Sequence, residues 1–206
     1  MIAPIVLAAG LGTRMGRLKP LLRIEDRPAL AIVLDTLQQA LLDPPIVVLG
    51  HRHEEIRGSV DLSHCTLVVN PEPSRGLASS FRLGLDATAP GAMGVLVMLV
   101  DMPLVRLETV RAVIGLAELG AAIAAPTYNG QRGFPVFFRQ DQLEELRESL
   151  VGDTGGRAYI DTHTSSLQLI PVDDPGCVRD FDVPSDIEEL KGVQPCTISE
   201  QPMKWS

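Results

Sequence analysis

Aromatic residues are scarce in this sequence, at 4% of 206 residues, so the core must consist mainly of Leu, Val, Ile and Ala. Long apolar runs are also missing, because the longest one, residues 94–100, is closed by Asp101 and is far shorter than the roughly 18 residues of a membrane span. The first residues carry no basic segment, and Pro4 and Gly10 interrupt their apolar run. We therefore expect neither a membrane segment nor a signal peptide.

Cysteine and positive charge are limited as well. The three cysteines are far apart and form no zinc-type pattern with histidine, which predicts reduced thiols and a cytoplasmic protein. The net charge of −8 argues against a nucleic-acid surface or an anionic membrane surface, although it allows a local basic pocket. The composition is globular, with 45% hydrophobic and 21% charged residues. We expect a single domain over residues 1–190 and a disordered tail over residues 191–206.

Apolar, strand-like runs alternate with helical patterns along the chain. The predicted strands are residues 2–7, 46–49, 66–69, 95–100, 121–125, 134–138 and 166–172, and the predicted helices are residues 27–42, 54–60, 76–87, 107–119, 140–150 and 184–190. This alternation predicts an α/β, Rossmann-like, doubly wound and mostly parallel sheet with helices on both faces. Ligands of such sheets bind at the carboxyl ends of the strands, which here places residues 10–19, 50–51, 70–71 and 101–103 along one rim.

A glycine-rich segment follows the first predicted strand. Residues 7–20 have the sequence LAAGLGTRMGRLKP, in which three glycines permit close backbone approach while Arg14 and Lys19 supply two cations. That combination suits a polyphosphate. The Walker pattern does not fit, because Pro20 follows the lysine, and the dinucleotide pattern does not fit, because its third glycine is one residue too late.

The string L-A-A-G-x-G-T-R-M-G-x-x-K-P resembles the signature loop of nucleotidyltransferases that make nucleoside-diphosphate products from an NTP. In particular it is similar to the MobA-like NTP transferases, and within them to the molybdenum cofactor cytidylyltransferase group. The resemblance covers about residues 2–190 and implies a nucleotide-diphospho-sugar transferase-like fold. It also implies Mg²⁺-dependent transfer of a nucleotidyl group to a phosphorylated acceptor with release of pyrophosphate, without a covalent enzyme intermediate.

The resemblance assigns the nucleotide site to the loop and to a second string, N-P-x-x-x-x-G-L-x-x-S. Asn70 could contact a base edge and Ser80 a phosphate or ribose, and the alternative is a plain loop before an ordinary helix. The implied catalytic residues are Arg14, which would hold the β and γ phosphates, Lys19, which would neutralise charge at the α-phosphate, and Asp101. The implied nucleotide-binding residues are Leu7, Ala8, Ala9, Gly10, Leu11, Gly12, Lys19, Asn70, Gly76 and Ser80.

Two acids are candidate metal ligands. Asp101 ends an apolar strand, where a carboxylate can hold Mg²⁺ against phosphate oxygens or can simply cap the next helix. Its D-x-P string resembles the metal-binding acid of the family. Residues 180–186, DFDVPSD, resemble the family string D-x-D-T-P-x-D and imply that Asp182 shares the Mg²⁺ ion with Asp101. The alternative for Asp182 is an acid at a helix start, where Val183 replaces the usual capping threonine.

The segment Gly133-Phe134-Pro135 stands where the cytidylyltransferase group usually has Gly-His-Pro. The resemblance implies that these three residues and Asp153 contact the acceptor. Asp153 belongs to a turn similar to the family string G-D-x-G-x-R, and it either binds the acceptor or caps the following helix. If the family histidine touches the acceptor, Phe134 implies a different acceptor.

The substrates and partners also come from the resemblance. In the family, L-A-A-G accompanies CTP and L-A-G-G accompanies GTP, so Ala9 favours CTP, with molybdopterin as the acceptor. The implied protein partner is a molybdenum hydroxylase or its chaperone. A sugar 1-phosphate is the second candidate acceptor. The first non-enzymatic hypothesis is a nucleotide-binding accessory protein, against which Arg14, Lys19, Asp101 and Asp182 argue, because a binder does not need both acids. The second is an interaction domain, which would leave the glycine-rich loop and its cations unexplained.

Overall fold

A central β-sheet organises the computed structural model, which describes residues 1–10, 18–24, 26–40 and 42–181. The strands are β1 (Ile2–Ala8), β2 (Arg23–Ile24), β3 (Arg27–Pro28), β4 (Ile46–Leu49), β5 (Thr66–Val69), β6 (Gly94–Leu99), β7 (Ile123–Tyr128), β8 (Gln131–Arg132), β9 (Val136–Arg139) and β10 (Leu167–Pro171). The α-helices are α1 (Ala29–Gln39), α2 (His53–Arg57), α3 (Leu77–Asp86), α4 (Leu107–Glu118), α5 (Leu143–Ser149) and α6 (Arg157–Thr162).

The strands of the large sheet follow the order β10-β7-β9-β6-β1-β4-β5, and β8 pairs with β7. Strands β5, β4, β1 and β6 are mutually parallel and form one half of the sheet. Strand β9 is antiparallel to both β6 and β7, and β10 is parallel to β7 at the edge. The predicted mostly parallel sheet is confirmed.

Side chains of the sheet alternate between two hydrophobic clusters. In β1, Val6 and Ala8 contribute to one cluster, whereas Ile5 and Leu7 contribute to the other. The first cluster contains the buried faces of α1, α2 and α4, and the second contains those of α3, α5 and α6. Because helices cover both faces, the central strands β1, β4 and β6 are apolar along their whole length, as the sequence predicts for a doubly wound α/β fold.

A tight hairpin joins β7 to the two-residue strand β8. Tyr128 pairs with Gln131 across Asn129 and Gly130, whose φ angles are 50° and 78°. Two positive φ angles are typical of a type I′ turn, which favours Asn-Gly. Since Arg132 pairs with Thr127, the hairpin holds Arg132 beside the carboxyl end of β7.

Several boundaries differ from the predicted ones. The helix predicted over residues 27–42 begins only at Ala29, because Arg27–Pro28 pairs with Arg23–Ile24 as a two-stranded hairpin. The helix predicted over residues 140–150 begins with a 3-10 turn and is α-helical over Leu143–Ser149. Helix α6 was not predicted. The helix predicted over residues 184–190 and the tail over residues 191–206 lie outside the described residues.

Candidate functional site

The carboxyl ends of four parallel strands meet at one edge of the sheet. Register pairs across β1, β4, β5 and β6 align Ala8 with Leu49, Leu49 with Val69, and Leu7 with Leu99. The chain segments that follow these strands therefore lie side by side, and they begin with Ala9-Gly10, Gly50, Asn70 and Val100-Asp101. This is the rim that the sequence predicts.

Lys19 and Asp101 form an ion pair at this edge. Lys19 Nζ lies 2.9 Å from Asp101 Oδ2, and the two side chains are 20% and 21% exposed. Lys19 begins a 3-10 turn, and the fixed φ of Pro20 at its second position suits the first turn of a helix. Partial shielding from water strengthens the attraction relative to a surface pair. The fold thus brings together two of the predicted catalytic residues, which are 82 positions apart in the sequence.

The Asp101 carboxylate suits a hard cation such as Mg²⁺. In nucleotide enzymes Mg²⁺ is held by one or two carboxylates together with phosphate oxygens, so a dedicated cage of protein ligands is not required. Within the part of the chain that the structure describes, no group of three or more His, Cys, Asp or Glu side chains is arranged to hold a metal ion. Phe181 N donates to Asp101 O at 2.9 Å, so the chain reaches Asp101 immediately before residue 182.

Four of the predicted site residues lie outside the described residues. They are Leu11, Gly12, Arg14 and Asp182. Of the predicted site residues in the glycine-rich loop, the structure describes Leu7, Ala8, Ala9 and Gly10 at its beginning and Lys19 at its end. Both ends of the loop lie at the carboxyl edge of the sheet, beside Asp101.

Asn70 and Ser80 are buried and hydrogen-bonded to each other. Asn70 is 2% exposed, and its Nδ2 donates to Ser79 Oγ at 2.8 Å and to Ser80 Oγ at 2.9 Å. Its Oδ1 accepts a hydrogen bond from Glu72 N at 2.9 Å. In this structure these bonds attach the loop after β5 to the first turn of α3. These bonds leave the hydroxyl proton of Ser80 and a second lone pair of Asn70 Oδ1 for other partners. The nucleotide-binding role of both residues stays a prediction.

Gly76 and Asp153 meet at the start of α3. Gly76 has a φ of 89°, and a Cβ there would lie 2.4 Å from Asp153 Oδ1, so only glycine fits. Asp153 Oδ1 accepts from Leu77 N at 3.3 Å, and Gly152 O accepts from Ala78 N at 2.9 Å. Asp153 therefore caps α3, whereas α6, the helix that follows it, has no side-chain cap. Its contact with an acceptor stays a prediction.

Backbone contacts hold the segment Gly133-Phe134-Pro135 against Cys177. A Cβ at Gly133 would lie 2.2 Å from Cys177 O, and Phe134 N donates to that same oxygen at 2.8 Å. The Phe134–Pro135 peptide bond is cis. Burial, together with the neighbouring Asp174 carboxylate, raises the pKa of the Cys177 thiol to about 11. The half-buried Phe134 side chain packs against both hydrophobic clusters.

A cavity of about 420 Å³ opens next to Phe134. Leu7 and Leu99, which are register partners on β1 and β6, line the cavity, so one end of it adjoins the edge that carries Asp101. Phe81, Phe134 and Phe138 add aromatic walls. The cavity therefore extends from the predicted nucleotide site to the predicted acceptor segment.

Sequence reasoning missed the polar residues of this cavity. Arg132, Arg157 and Asp161 line it, and Arg132 Nη2 lies 3.1 Å from Asp161 Oδ1. Two of these residues stand in strings that the sequence analysis compares with the family, since Arg132 precedes Gly133-Phe134-Pro135 and Arg157 ends G-D-T-G-G-R. Those strings indicate a likeness to the family, but they do not show that the two arginines line a cavity. Asp161 lies in α6, and it stands in no motif that could have identified it.

The chain matches the MobA-like NTP transferase domain over residues 4–167. It belongs to this family. The fold described above and the family together make the protein a nucleotidyltransferase, and the predicted family and enzyme class are confirmed. Among the described residues, no helix has the length and apolar character needed to cross a membrane.

The curated proteins that are similar to this chain have different names. The chain is 27% identical over 194 residues to the molybdenum cofactor cytidylyltransferase of Escherichia coli (strain K12), covering 91% of this chain and 94% of that protein. It is 26% identical over 189 residues to the nicotine blue oxidoreductase of Paenarthrobacter nicotinovorans, covering 88% and 92%. It also matches bifunctional GlmU proteins, but it spans only 31% of the one from Psychrobacter sp. (strain PRwf-1).

Solved structures of similar proteins have the same fold, and one of them contains manganese. The crystal structure of Rv0371c from Mycobacterium tuberculosis H37Rv is 32% identical, with a TM-score of 0.82 over 92% of this chain and 97% of that chain. The manganese complex of the same protein is 30% identical, with a TM-score of 0.79 over 93% and 99%. A relative with this fold has thus been crystallised with a divalent cation.

Proposed function

We propose that this protein transfers CMP from CTP to a phosphorylated acceptor, molybdopterin, with release of pyrophosphate and with Mg²⁺ as cofactor. The observation that most supports the proposal is the ion pair between Lys19 and Asp101. The pair lies at the carboxyl edge of the sheet, where the glycine-rich loop begins after β1 and ends. A cation and a carboxylate at this place suit a metal-bound triphosphate.

In the proposed reaction, an oxygen of the acceptor phosphate attacks the α-phosphorus of CTP in line. A new phosphoanhydride bond forms, the bond between the α-phosphorus and the β-phosphate oxygen breaks, and pyrophosphate leaves with the electron pair. Lys19 neutralises charge on the α-phosphate and the leaving group, and Arg14 holds the β and γ phosphates. Positioning and charge stabilisation therefore supply the catalysis, and no covalent enzyme intermediate is needed.

Asp101 and Asp182 would hold the metal ion. When bound, Mg²⁺ neutralises negative charge on the phosphate oxygens, and Asp101 supplies a hard oxygen ligand of the kind that it prefers. Asp182 follows Phe181, whose amide donates to Asp101 O at 2.9 Å, which supports its proposed place beside Asp101. Lys19 Nζ, which pairs with Asp101 Oδ2 in this structure, would face the phosphates in the state in which Asp101 holds the metal ion.

The choice of CTP and of molybdopterin rests on Ala9 and on the name of the Escherichia coli relative. In the proposed site, Ala8, Ala9 and Gly10 line the base pocket. The proposal includes a molybdenum hydroxylase, or its chaperone, as the protein that receives the product. It also places the protein in the cytoplasm, in agreement with the free thiols of Cys65 and Cys177.

One observation favours a second acceptor. Phe134 stands where the cytidylyltransferase group usually has histidine, and it lines the cavity. If the acceptor differs for this reason, the same nucleotidyl transfer would use another phosphate compound, such as a sugar 1-phosphate. A non-catalytic accessory protein would instead bind NTP without turnover.

The test is pyrophosphate release with CTP, GTP, ATP or UTP, each with and without molybdenum-loaded molybdopterin. The proposal predicts Mg²⁺-dependent release with CTP and this acceptor. Binding of NTP without release under any condition would contradict catalysis, and release with another acceptor alone would contradict molybdopterin. An oxidoreductase activity, as in the name of the Paenarthrobacter relative, would yield no pyrophosphate.

A further inference from the structure

One buried acid has no part in the reaction proposed above. Asp174 is 2% exposed, and among the residues that the structure describes it is the only charged one that is buried. Burial of a carboxylate is costly unless hydrogen bonds compensate for the lost hydration. Because a neutral side chain would avoid that cost, the stability of the fold alone does not explain an acid at this position.

The Asp174 carboxylate accepts hydrogen bonds from two segments of the chain. Its Oδ2 accepts from Arg106 N at 2.9 Å and from Thr109 Oγ1 at 2.6 Å, at the start of α4. Its Oδ1 accepts from Gly176 N at 2.9 Å, within its own segment. A negative charge at the first turn of a helix also interacts favourably with the helix dipole. The carboxylate therefore attaches the residues that follow it to the start of α4.

The connecting segment, residues 174–181, runs from this carboxylate to Asp101. A Cβ at Gly176 would lie 2.3 Å from Leu104 O, so the segment passes directly against the stretch between Asp101 and α4. At the end of the segment, Phe181 N donates to Asp101 O at 2.9 Å, and Phe181 is 2% exposed. The connecting segment thus joins a buried carboxylate to the backbone of a proposed metal ligand.

We propose that Asp174 is a positioning residue for the metal ion, because it holds the connecting segment so that Asp101 and Asp182 can bind one cation together. This inference rests on the proposed function, which takes those two acids as the metal ligands. Asp174 acts through the connecting segment and not by contact with the ion. Groups that orient the ligands of a metal ion typically change its affinity about 10–100-fold.

Hydrogen exchange of the full-length, metal-free protein tests the connection by itself. Asp174→Asn keeps the size of the side chain but turns an N–H donor toward a backbone or hydroxyl donor, so at least one of the three bonds is lost. We expect the amides of residues 176–181 to exchange at least about tenfold faster in this variant, while those of β1 keep their wild-type rates. Unchanged exchange of residues 176–181 would overturn the proposal.

Titration with Mn²⁺ alone, followed by electron paramagnetic resonance of the free ion, tests the effect on the metal without turnover. We expect Asp174→Asn to weaken Mn²⁺ binding about tenfold, short of the complete loss expected in Asp101→Ala. Thr109→Val removes one hydrogen bond and keeps the acid, so it should weaken binding about threefold, and it provides the test if Asp174→Asn fails to fold.

The Mn²⁺ titration separates this inference from the proposed function. Wild-type affinity in Asp174→Asn, next to a loss of binding in Asp101→Ala, would overturn the positioning role and leave the proposed metal site intact. If the wild-type protein shows no Mn²⁺ binding that depends on Asp101, the proposed metal site is overturned and the positioning role with it.

Two control variants exclude general effects. In Gly84→Ala the added methyl group would lie 2.6 Å from Ile5 Cγ2, so the variant disturbs the core at α3 and leaves the connecting segment untouched. Asp61→Asn also removes an acid that accepts a backbone hydrogen bond two residues on, from Ser63 N at 3.0 Å, but it lies between α2 and β5. Both should keep Mn²⁺ affinity within about twofold of wild type, since sites that share no partner behave independently. Losses equal to that of Asp174→Asn would overturn the positioning role.

Discussion

At the scale of single residues, the ion pair between Lys19 and Asp101 places a cation and a carboxylate next to the glycine-rich loop. Asp101→Ala should abolish Mg²⁺-dependent pyrophosphate release and leave the fold intact, because its carboxylate is a proposed ligand and it is partly exposed. Release assays and circular dichroism measure both effects. Asp86→Ala is the matched control, because Asp86 is also paired with a basic side chain, Arg147 Nε at 2.8 Å, and has no proposed part in catalysis. Near-wild-type turnover of Asp101→Ala would remove Asp101 from the mechanism.

Lys19 is expected to act on the rate more than on the affinity for nucleotide. Lys19→Ala should lower kcat by about 10²–10³-fold, which is the usual loss when one preorganised stabiliser of developing charge is removed. Steady-state kinetics at saturating CTP separate kcat from KM. A change confined to KM would contradict the proposed role at the α-phosphate, since it would indicate uniform binding of ground state and transition state.

The Cys177 thiol gives a prediction about pH. Burial is the main cause that raises its pKa to about 11, so the thiolate that reacts with alkylating agents is rare at pH 8. In a variant with Cys65→Ser and Cys196→Ser, iodoacetamide should modify the folded protein about 100-fold more slowly than the urea-unfolded protein, since two pKa units correspond to that ratio of thiolate. Equal rates in the two states would contradict the burial of this thiol.

The same pKa shift has a consequence for stability. The unfolded thiol loses its proton near its ordinary pKa of 9.0, whereas the folded thiol keeps it up to about 11. Between these values the unfolded state binds fewer protons, so the contribution of Cys177 to the free energy of unfolding falls as pH rises. The loss should be smaller in Cys177→Ala, which urea titrations at pH 9 and pH 11 can measure.

At the scale of secondary-structure elements, two helical glycines have opposite surroundings. A Cβ at Gly84 in α3 would lie 2.6 Å from Ile5 Cγ2 in the core, whereas no heavy atom of the described residues lies within 4 Å of a Cβ at Gly115 in α4. Gly84→Ala should therefore destabilise the protein by about 1–3 kcal/mol through overpacking. Gly115→Ala should stabilise it by about 0.5–1 kcal/mol through helix propensity.

Urea unfolding of the two alanine variants measures this difference directly. The pair is matched, because the same methyl group is added to an α-helix in both variants. Stabilisation by Gly84→Ala would contradict the close approach of α3 to β1. Destabilisation by Gly115→Ala would contradict the open surroundings of this face of α4.

The sequence predicted the elements that have strong periodicity or continuous apolar runs. Strands β4 and β5 have the predicted bounds, β1 ends one residue later than predicted, and β6 begins and ends one residue earlier. The hairpin of β2 and β3 was not predicted, because a strand of two residues has no detectable period. Helix α6 has only six residues and follows two glycines, so neither cap nor periodicity indicated it. The antiparallel direction of β9 was not predicted either, since a fully buried strand is apolar in both directions.

The sequence predicted which edge of the sheet holds the candidate site, but it did not predict the contacts between the side chains there. The rule for carboxyl ends of parallel strands placed Asn70 and Asp101 at one rim, and the structure does the same. The cap that Asp153 gives to Leu77 joins residues 76 positions apart, and the pair of Arg132 and Asp161 spans 29. Such contacts depend on how loops pack across the sheet, which no local pattern in the sequence encodes.

At the scale of the whole molecule, the proposed function requires a divalent metal ion at the carboxyl edge of the sheet. Removal of divalent cations with EDTA should abolish pyrophosphate release, because phosphate charge would then be left without its counterion. Addition of Mg²⁺ should restore release, and Mn²⁺ should substitute, since both accept carboxylate and phosphate oxygens and a relative has been crystallised with manganese. Undiminished release in EDTA would contradict a metal-dependent mechanism.

The central claim is that this chain transfers a nucleotidyl group from CTP to a molybdopterin-type phosphate. Its most direct test is pyrophosphate release with each of the four NTPs, in the presence and absence of molybdenum-loaded molybdopterin and Mg²⁺. We expect release with CTP only when acceptor and metal are both present, and loss of that release in Asp101→Ala. Tight CTP binding without release under any of these conditions would contradict it.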